Sequence, residues 1–144
     1  MKKKLIPSLI ASVILLSVGS QSAFAIKGAG DTRDTAITLY TSTTRTWTLD
    51  SFNDEDWFKW RNDTGSTKYV SASLQSPVGL NYDIWGYLVT PGGEYTLNTG
   101  ENGPGGLEGF GTSLNPGDTI YIRIKPDSFD YSTTQQYEFK FNVN

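Results

Sequence analysis

The chain of 144 residues has no cysteine and no histidine. Without cysteine there are no disulfides, no thiolate metal sites and no thiol nucleophile. Without histidine there is no Ser-His-Asp triad, no Cys-His pair and no His-rich zinc site. Lysines and arginines are not clustered beyond the extreme N-terminus, which argues against nucleic acid and anionic membrane surfaces as partners. No Walker or Rossmann glycine motif follows a strand-like run. Gly103 to Gly111 is glycine-rich, but it lacks the Lys-Ser/Thr of a phosphate loop and reads as a flexible surface loop. What remains is carboxylate chemistry or the binding of a hard cation through oxygen.

There is one long apolar run, and it lies at the start. Lys2, Lys3 and Lys4 precede an apolar stretch from Leu5 to Val18, and Ala23-Phe24-Ala25 is an A-x-A cleavage site. This is the layout of a secretory signal peptide over residues 1–25, too short to span a bilayer comfortably. Cleavage leaves 119 of the 144 residues, from Ile26, as a single domain of 26–144. That part holds all fifteen acids and nine of the twelve bases, a net charge of −6. The n-region and the cleavage site point to a bacterial protein that is secreted, with no membrane span after cleavage. Ile26 to Gly30 reads as a loose leader.

The periodicity after residue 30 is that of strands. Val70, Ala72 and Leu74 alternate with Tyr69, Ser71 and Ser73; Ile120, Ile122 and Ile124 alternate with Tyr121, Arg123 and Lys125. Tyr137, Phe139, Phe141 and Val143 alternate with Glu138, Lys140 and Asn142. A period of two is what a half-buried antiparallel strand requires. Turn signals such as Asn62-Asp63-Thr64-Gly65, Pro91-Gly92-Gly93 and Asn115-Pro116-Gly117-Asp118 separate the runs. The expected fold class is all-β: an antiparallel two-sheet β-sandwich, jelly-roll-like, with eight or nine short strands and no helix. Alternation assigns Trp47, Phe58 and Trp60 to the core and leaves Trp57 open, with packing beneath the acidic turn as one place for it.

Acidic residues run straight into an aromatic strand at Asn53-Asp54-Glu55-Asp56-Trp57-Phe58-Lys59-Trp60. With the lead-in Asp31–Leu39, the run from Tyr82-Asp83-Ile84 to Pro91-Gly92-Gly93, the segment Leu114-Asn115-Pro116-Gly117-Asp118 with Tyr121-Ile122-Arg123, and the closing Tyr137-Glu138-Phe139, it makes a series in which the chain resembles the bacterial pre-peptidase C-terminal (PPC) domain. The resemblance spans nearly all of the chain after residue 30. It implies a jelly-roll-like sandwich with no catalytic activity of its own. In some relatives it implies calcium-supported attachment to insoluble polymers, including collagen. The chain departs from the family in carrying no peptidase domain.

Asp54, Glu55 and Asp56 concentrate like charge, which is costly unless a cation or bases compensate. Asp31 and Asp34 can add oxygens if the lead-in folds across the aromatic strand. In calcium-binding relatives, acids of the leader join a carboxylate directly before the strand's aromatic residue, and Asp56 matches that position. Asn53 departs from the pattern, standing three residues earlier where a second acidic ligand is usual, and so do Gly28 and Gly30, at leader positions where acids or amides are common. Two readings follow: a Ca²⁺ site formed by Asp31, Asp34, Asp54 and Asp56, or a solvated acidic turn bonded to nearby backbone N–H groups.

If Ile84, Gly86 and Leu88 face the core, Trp85 and Tyr87 face outward, and Tyr121 does so on its own strand. Outward rings suit polymer recognition, because flat rings stack on sugars or extended peptides at small entropic cost. They are equally the rings that a loop or a cross-strand neighbour covers. Glu94, Glu101 and Glu108 read as solvated loop residues, although two carboxylates across a cleft could hydrolyse a glycoside. Arg123 and Lys125 read as surface charges able to pair with acids across the sheet. The function expected is a secreted, non-catalytic binding module for an extracellular or cell-surface polymer, using Trp85, Tyr87 and Tyr121. The alternative is a stand-alone interaction protein acting on a separate protein.

Overall fold

A computed structural model describes residues 29–97 and 99–144. Residues 1–25, expected to be a signal peptide, and the expected N-terminus at Ile26 lie outside the described residues. Nine strands run in chain order: β1 (Ile37–Thr38), β2 (Thr43–Leu49), β3 (Asp56–Arg61), β4 (Lys68–Gln75), β5 (Tyr82–Thr90), β6 (Gly93–Leu97), β7 (Leu107–Leu114), β8 (Thr119–Pro126) and β9 (Ser132–Val143). They form a five-stranded sheet, β1-β3-β8-β5-β6, and a four-stranded sheet, β2-β9-β4-β7. The pairs β2·β9, β3·β8, β4·β7 and β5·β6 nest inside one another, as in a single long hairpin rolled over on itself. That nesting is jelly-roll topology. Only β1 is parallel to its neighbour, with Ile37 opposite Phe58. Among the described residues, no helix is long and apolar enough to cross a membrane.

The alternation read from the sequence sets the two inner faces. Along β8, Ile120, Ile122 and Ile124 are buried while Tyr121, Arg123 and Lys125 are half-exposed. A ribbon of rings runs through the centre: Trp47 stacks on Phe58 at 5.3 Å between centroids, and Phe58 stacks on Phe139 at 4.5 Å. Trp60 meets Phe141 in a tilted contact at 6.2 Å. Such pairs add roughly 0.5–1.5 kcal/mol each beyond their buried area.

Two expectations are corrected. The glycine-rich stretch is not a loop throughout, because Leu107 to Gly111 belong to β7, paired in full register with β4. Gly111 lies under the Tyr69 ring, where a Cβ would fall 2.0 Å from the Tyr69 hydroxyl. The glycine makes room for a neighbour rather than a turn. The leader is also not loose at its end. Gly30 is buried, and its carbonyl accepts the Trp57 N–H at 2.7 Å. Its φ of +87° and the Ile37 side chain 3.0 Å from a virtual Cβ suit glycine alone.

Candidate functional site

Strand register builds two rows of side chains across the outer face of the five-stranded sheet. Trp57, Arg123 and Trp85 stand side by side on β3, β8 and β5, and Lys59, Tyr121 and Tyr87 form the next row. The Arg123 guanidinium lies 5.5 Å from the Trp57 ring, 5.8 Å from Trp85 and 5.7 Å from Tyr87. Trp57 stacks on Tyr87 at 5.7 Å. From the lead-in, Arg33 lies over Tyr121 at 4.3 Å and reaches both carboxylate oxygens of Glu94 on β6. Guanidinium over aromatic faces is favourable, more so where water is partly excluded. Trp85, Tyr87 and Tyr121 therefore face outward, half-buried in one layer of rings and guanidinium groups. Trp57 also faces outward but is only 8% exposed, because the lead-in crosses it and Glu55 accepts its indole N–H at 2.8 Å. Arg123 pairs with an acid, Glu55 at 3.6 Å, as its place on the strand allowed, and beyond that it sits among three rings rather than as a bland surface charge.

The acidic turn sits at one end of the sandwich. Asp56 shares the parity of Phe58 and Trp60, so it points between the sheets and is only 3% exposed. The buried Tyr137 hydroxyl of β9 donates to its carboxylate. Burial pushes the Asp56 carboxyl up to about 7, against the opposing Tyr137 bond, and the charges of Asp54, Asp31 and Asp50 add to the rise. Asp54 is also raised, by burial first and then by Asp31 and Asp50, while the Asp50 N–H it accepts opposes the shift. The lead-in thus sets Asp31 near enough for its charge to act on Asp54 and Asp56, as that of Asp50 does, but these carboxylates do not gather within 4.8 Å of one another as a three-acid group. Asp34 is exposed and is not among the charges that act on Asp56. Asp50 and Tyr137 carried no sequence signal of this role; each meets Asp56 only through the fold.

A second carboxylate group lies along β5 beyond the end of β6. Asp83, Glu101 and Glu108 each bring an oxygen within 4.8 Å of the others, the three-acid group among the described residues close enough to share a cation. With Trp85 and Thr99 they line a cavity of about 200 Å³. Glu108 is 4% exposed and accepts the Asn102 N–H, while Asp83 pairs with Lys125 at 3.6 Å. Burial raises both Asp83 and Glu108, and Glu101 adds to each shift. Glu101 and Glu108 are therefore not merely scattered loop acids, and Asp83 is the member that sequence reasoning missed. Glu94 stands apart, on β6 with Arg33.

Chemically, the outer face offers flat apolar surface with fixed cations, and the two acidic groups offer hard oxygen donors. No family model matches the chain, and no curated protein does. Among solved structures, the chain is similar to the pre-peptidase C-terminal domain of a collagenase from Bacillus anthracis. That match has 15% identity and a TM-score of 0.48, and covers 76% of this chain and 94% of that one. It is also similar to PliG of Aeromonas hydrophila, a periplasmic inhibitor of g-type lysozyme. Here the identity is 7% and the TM-score 0.41, with 76% of this chain and 96% of the other covered.

Proposed function

We propose that the protein is an exported, non-catalytic binding module that attaches to an extracellular polymer through the outer face of its five-stranded sheet. The observation that carries this reading is the half-exposed layer of Trp85, Tyr87 and Tyr121 in two cross-strand rows, set beside Arg123 and Lys59 with Trp57 buried under the lead-in. Rings held by guanidinium groups are already ordered before a ligand arrives, so little side-chain entropy remains to be lost on binding. A repeating ligand such as a polysaccharide or an extended protein fibre offers flat faces at intervals and makes many weak contacts with such a layer. Export rests on the basic, apolar and A-x-A pattern of residues 1–25.

Calcium support belongs to the same proposal. Asp31, Asp54 and Asp56 would supply carboxylate oxygens at one end of the sandwich on closing toward one another, with Asp34 nearby in sequence, and a divalent cation would offset the burial and mutual repulsion that raise Asp54 and Asp56. The donor type suits calcium. The ion's part is structural: it would tie the lead-in, which carries Arg33, to β3.

The test is retention on insoluble collagen, chitin, cellulose and bacterial cell wall, with calcium and with chelator. Retention on one polymer is expected, with loss in Trp85→Ala of at least fivefold and a stability cost of only about 1 kcal/mol, since the ring is half-buried. Retention on none of them, or loss of retention only in step with unfolding, overturns the reading. Titration calorimetry with millimolar calcium that shows no heat removes the cation from it.

A further inference from the structure

Beyond the polymer-binding face, the loops at one end of the sandwich form a second surface. The start of β5 lies beside the end of β8, Tyr82 opposite Pro126, and Leu49 at the end of β2 lies opposite Ser132. This brings the β2–β3 loop and the β8–β9 loop together. Phe52 of the first is 55% exposed and Phe129 of the second is 76% exposed, yet their rings meet at 5.5 Å. Tyr131 beside them is also exposed. Two phenylalanines on separate loops that meet in a tilted contact at the surface, rather than turning into the core, form an apolar knob that the described residues leave largely uncovered.

The charge around the knob has one sign. Asp50 and Asp54 flank Phe52 in the chain, and Asp127 and Asp130 flank Phe129. Asp50, Asp54 and Asp130 all lie close enough to act on Tyr82 at the same end. Among the described residues, none of these four aspartates forms an ion pair; the lysines and arginines that do pair take other acids, such as Glu55, Asp63, Asp83, Glu94 and Glu138. An exposed aromatic pair flanked by carboxylates without a basic partner, three of which (Asp54, Asp127 and Asp130) accept hydrogen bonds only from uncharged N–H and O–H groups of the chain, complements a partner of one kind. It must offer apolar side chains between positive charges.

We infer that this loop end docks a basic protein, with Phe52 and Phe129 as the apolar anchors and Asp50, Asp54, Asp127 and Asp130 as the rim that attracts and orients it. The anchors supply the bulk of the affinity, and the rim governs association rate and salt dependence. The surface is separate from Trp85, Tyr87 and Tyr121 and shares only Asp54 with the cation group proposed above, so it operates whether or not the sheet face binds a polymer.

The test is fluorescence anisotropy of the protein with a labelled synthetic peptide of alternating lysine and leucine, against a control of alternating glutamate and leucine. Binding of the lysine peptide alone is expected, weakening steeply between about 50 and 300 mM salt. Phe52→Ser with Phe129→Ser should weaken it at least tenfold. Both side chains are exposed, so an unchanged melting temperature checks the fold. Asp50→Asn with Asp127→Asn should weaken binding several-fold and flatten its salt dependence. The inference is overturned by no binding of the lysine peptide at the low salt, by equal binding of the glutamate peptide, or by full binding in the serine variant. Sedimentation showing that the knob joins two copies of this chain, with dimer lost in the serine variant, overturns it as well.

Discussion

The two ends of the sandwich solve the problem of loop backbone in opposite ways. At the end where β3 passes to β4, Asn62 is fully buried and its side chain serves as an internal clamp. Its Nδ2 donates to the carbonyls of Ser66 at 2.9 Å and Leu114 at 2.8 Å, and its Oδ1 accepts from the Thr64 amide and hydroxyl at 3.1 and 2.6 Å. Its backbone bonds the β7–β8 turn through Asp118 and Gly117. Donors and acceptors there are matched within the chain. At the opposite end, Asp31, Asp50, Asp54 and Asp56 press on one another, and Phe52 and Phe129 stand in solvent. Tyr40 is exposed at the Asn62 end as well, so the difference lies in polar matching: the Asn62 clamp satisfies its loop from within the chain, whereas the aspartates of the other end have no basic partner among the described residues.

The largest effect expected is at the closed end. Asn62→Ala should cost roughly 2–4 kcal/mol in urea unfolding, because buried carbonyls lose their donor. Polymer retention by the folded fraction should not change. A loss of retention in step with Asn62→Ala would mean that the two ends are coupled and the contrast is false.

At the open end the expected response is to pH. The Asp56 carboxyl rises from the ordinary 3.8 to about 7 in the folded protein, so the folded state holds a proton that the unfolded chain releases. Its contribution is fully present below pH ~4 and is lost as pH rises through about 7, so the protein should gain stability on acidification from pH 8 to pH 5. The gain should be on the order of 2–4 kcal/mol. Asp56→Asn should be more stable than the parent at pH 8 and nearly flat over that window, as followed by thermal melts. Calcium bound beside Asp56 would favour the ionised form and shrink the pH effect, so repeating the melts with calcium sharpens the comparison. A parent protein whose stability is flat from pH 5 to 8 would refute the assignment.

The smallest effect concerns the exposed layer between the ends. Arg33→Ala removes the Glu94 pair and the contact over Tyr121, and should cost less than about 1 kcal/mol because the pair is solvent-exposed. It should nevertheless weaken polymer retention if the guanidinium orders the rings. Equal losses in stability and retention would place Arg33 in the scaffold only.

The strands were legible because their signal is local. Ile120, Ile122 and Ile124 alternate with polar neighbours, and the same parity turned Trp85, Tyr87 and Tyr121 outward as expected. The stretch from Gly103 to Gly111 misled because glycine signals a turn unless something occupies the space that a Cβ would fill. Tyr69, some forty residues away, occupies it at Gly111. Arg123 read as a surface charge because nothing in its neighbourhood of sequence announces Trp57 and Trp85 on either side. The parity that buries Phe58 also buries Asp56, and that burial is the main cause of its raised proton affinity; the opposing Tyr137 bond and the added charge of Asp31 come from residues that the chain does not place near it in sequence.

By itself, then, the sequence determined the period of the strands, the turns between them, the all-β class and the choice of oxygen over sulfur or imidazole as the available chemistry, since each is a property of neighbouring residues or of composition. Only the tertiary structure decided which carboxylates share an end, which three line the cavity beside Trp85, which guanidinium groups clasp the rings and which aromatic residues remain uncovered. Those meetings are set by the nested pairing of strands distant along the chain, and contacts across such distances leave no period in the sequence.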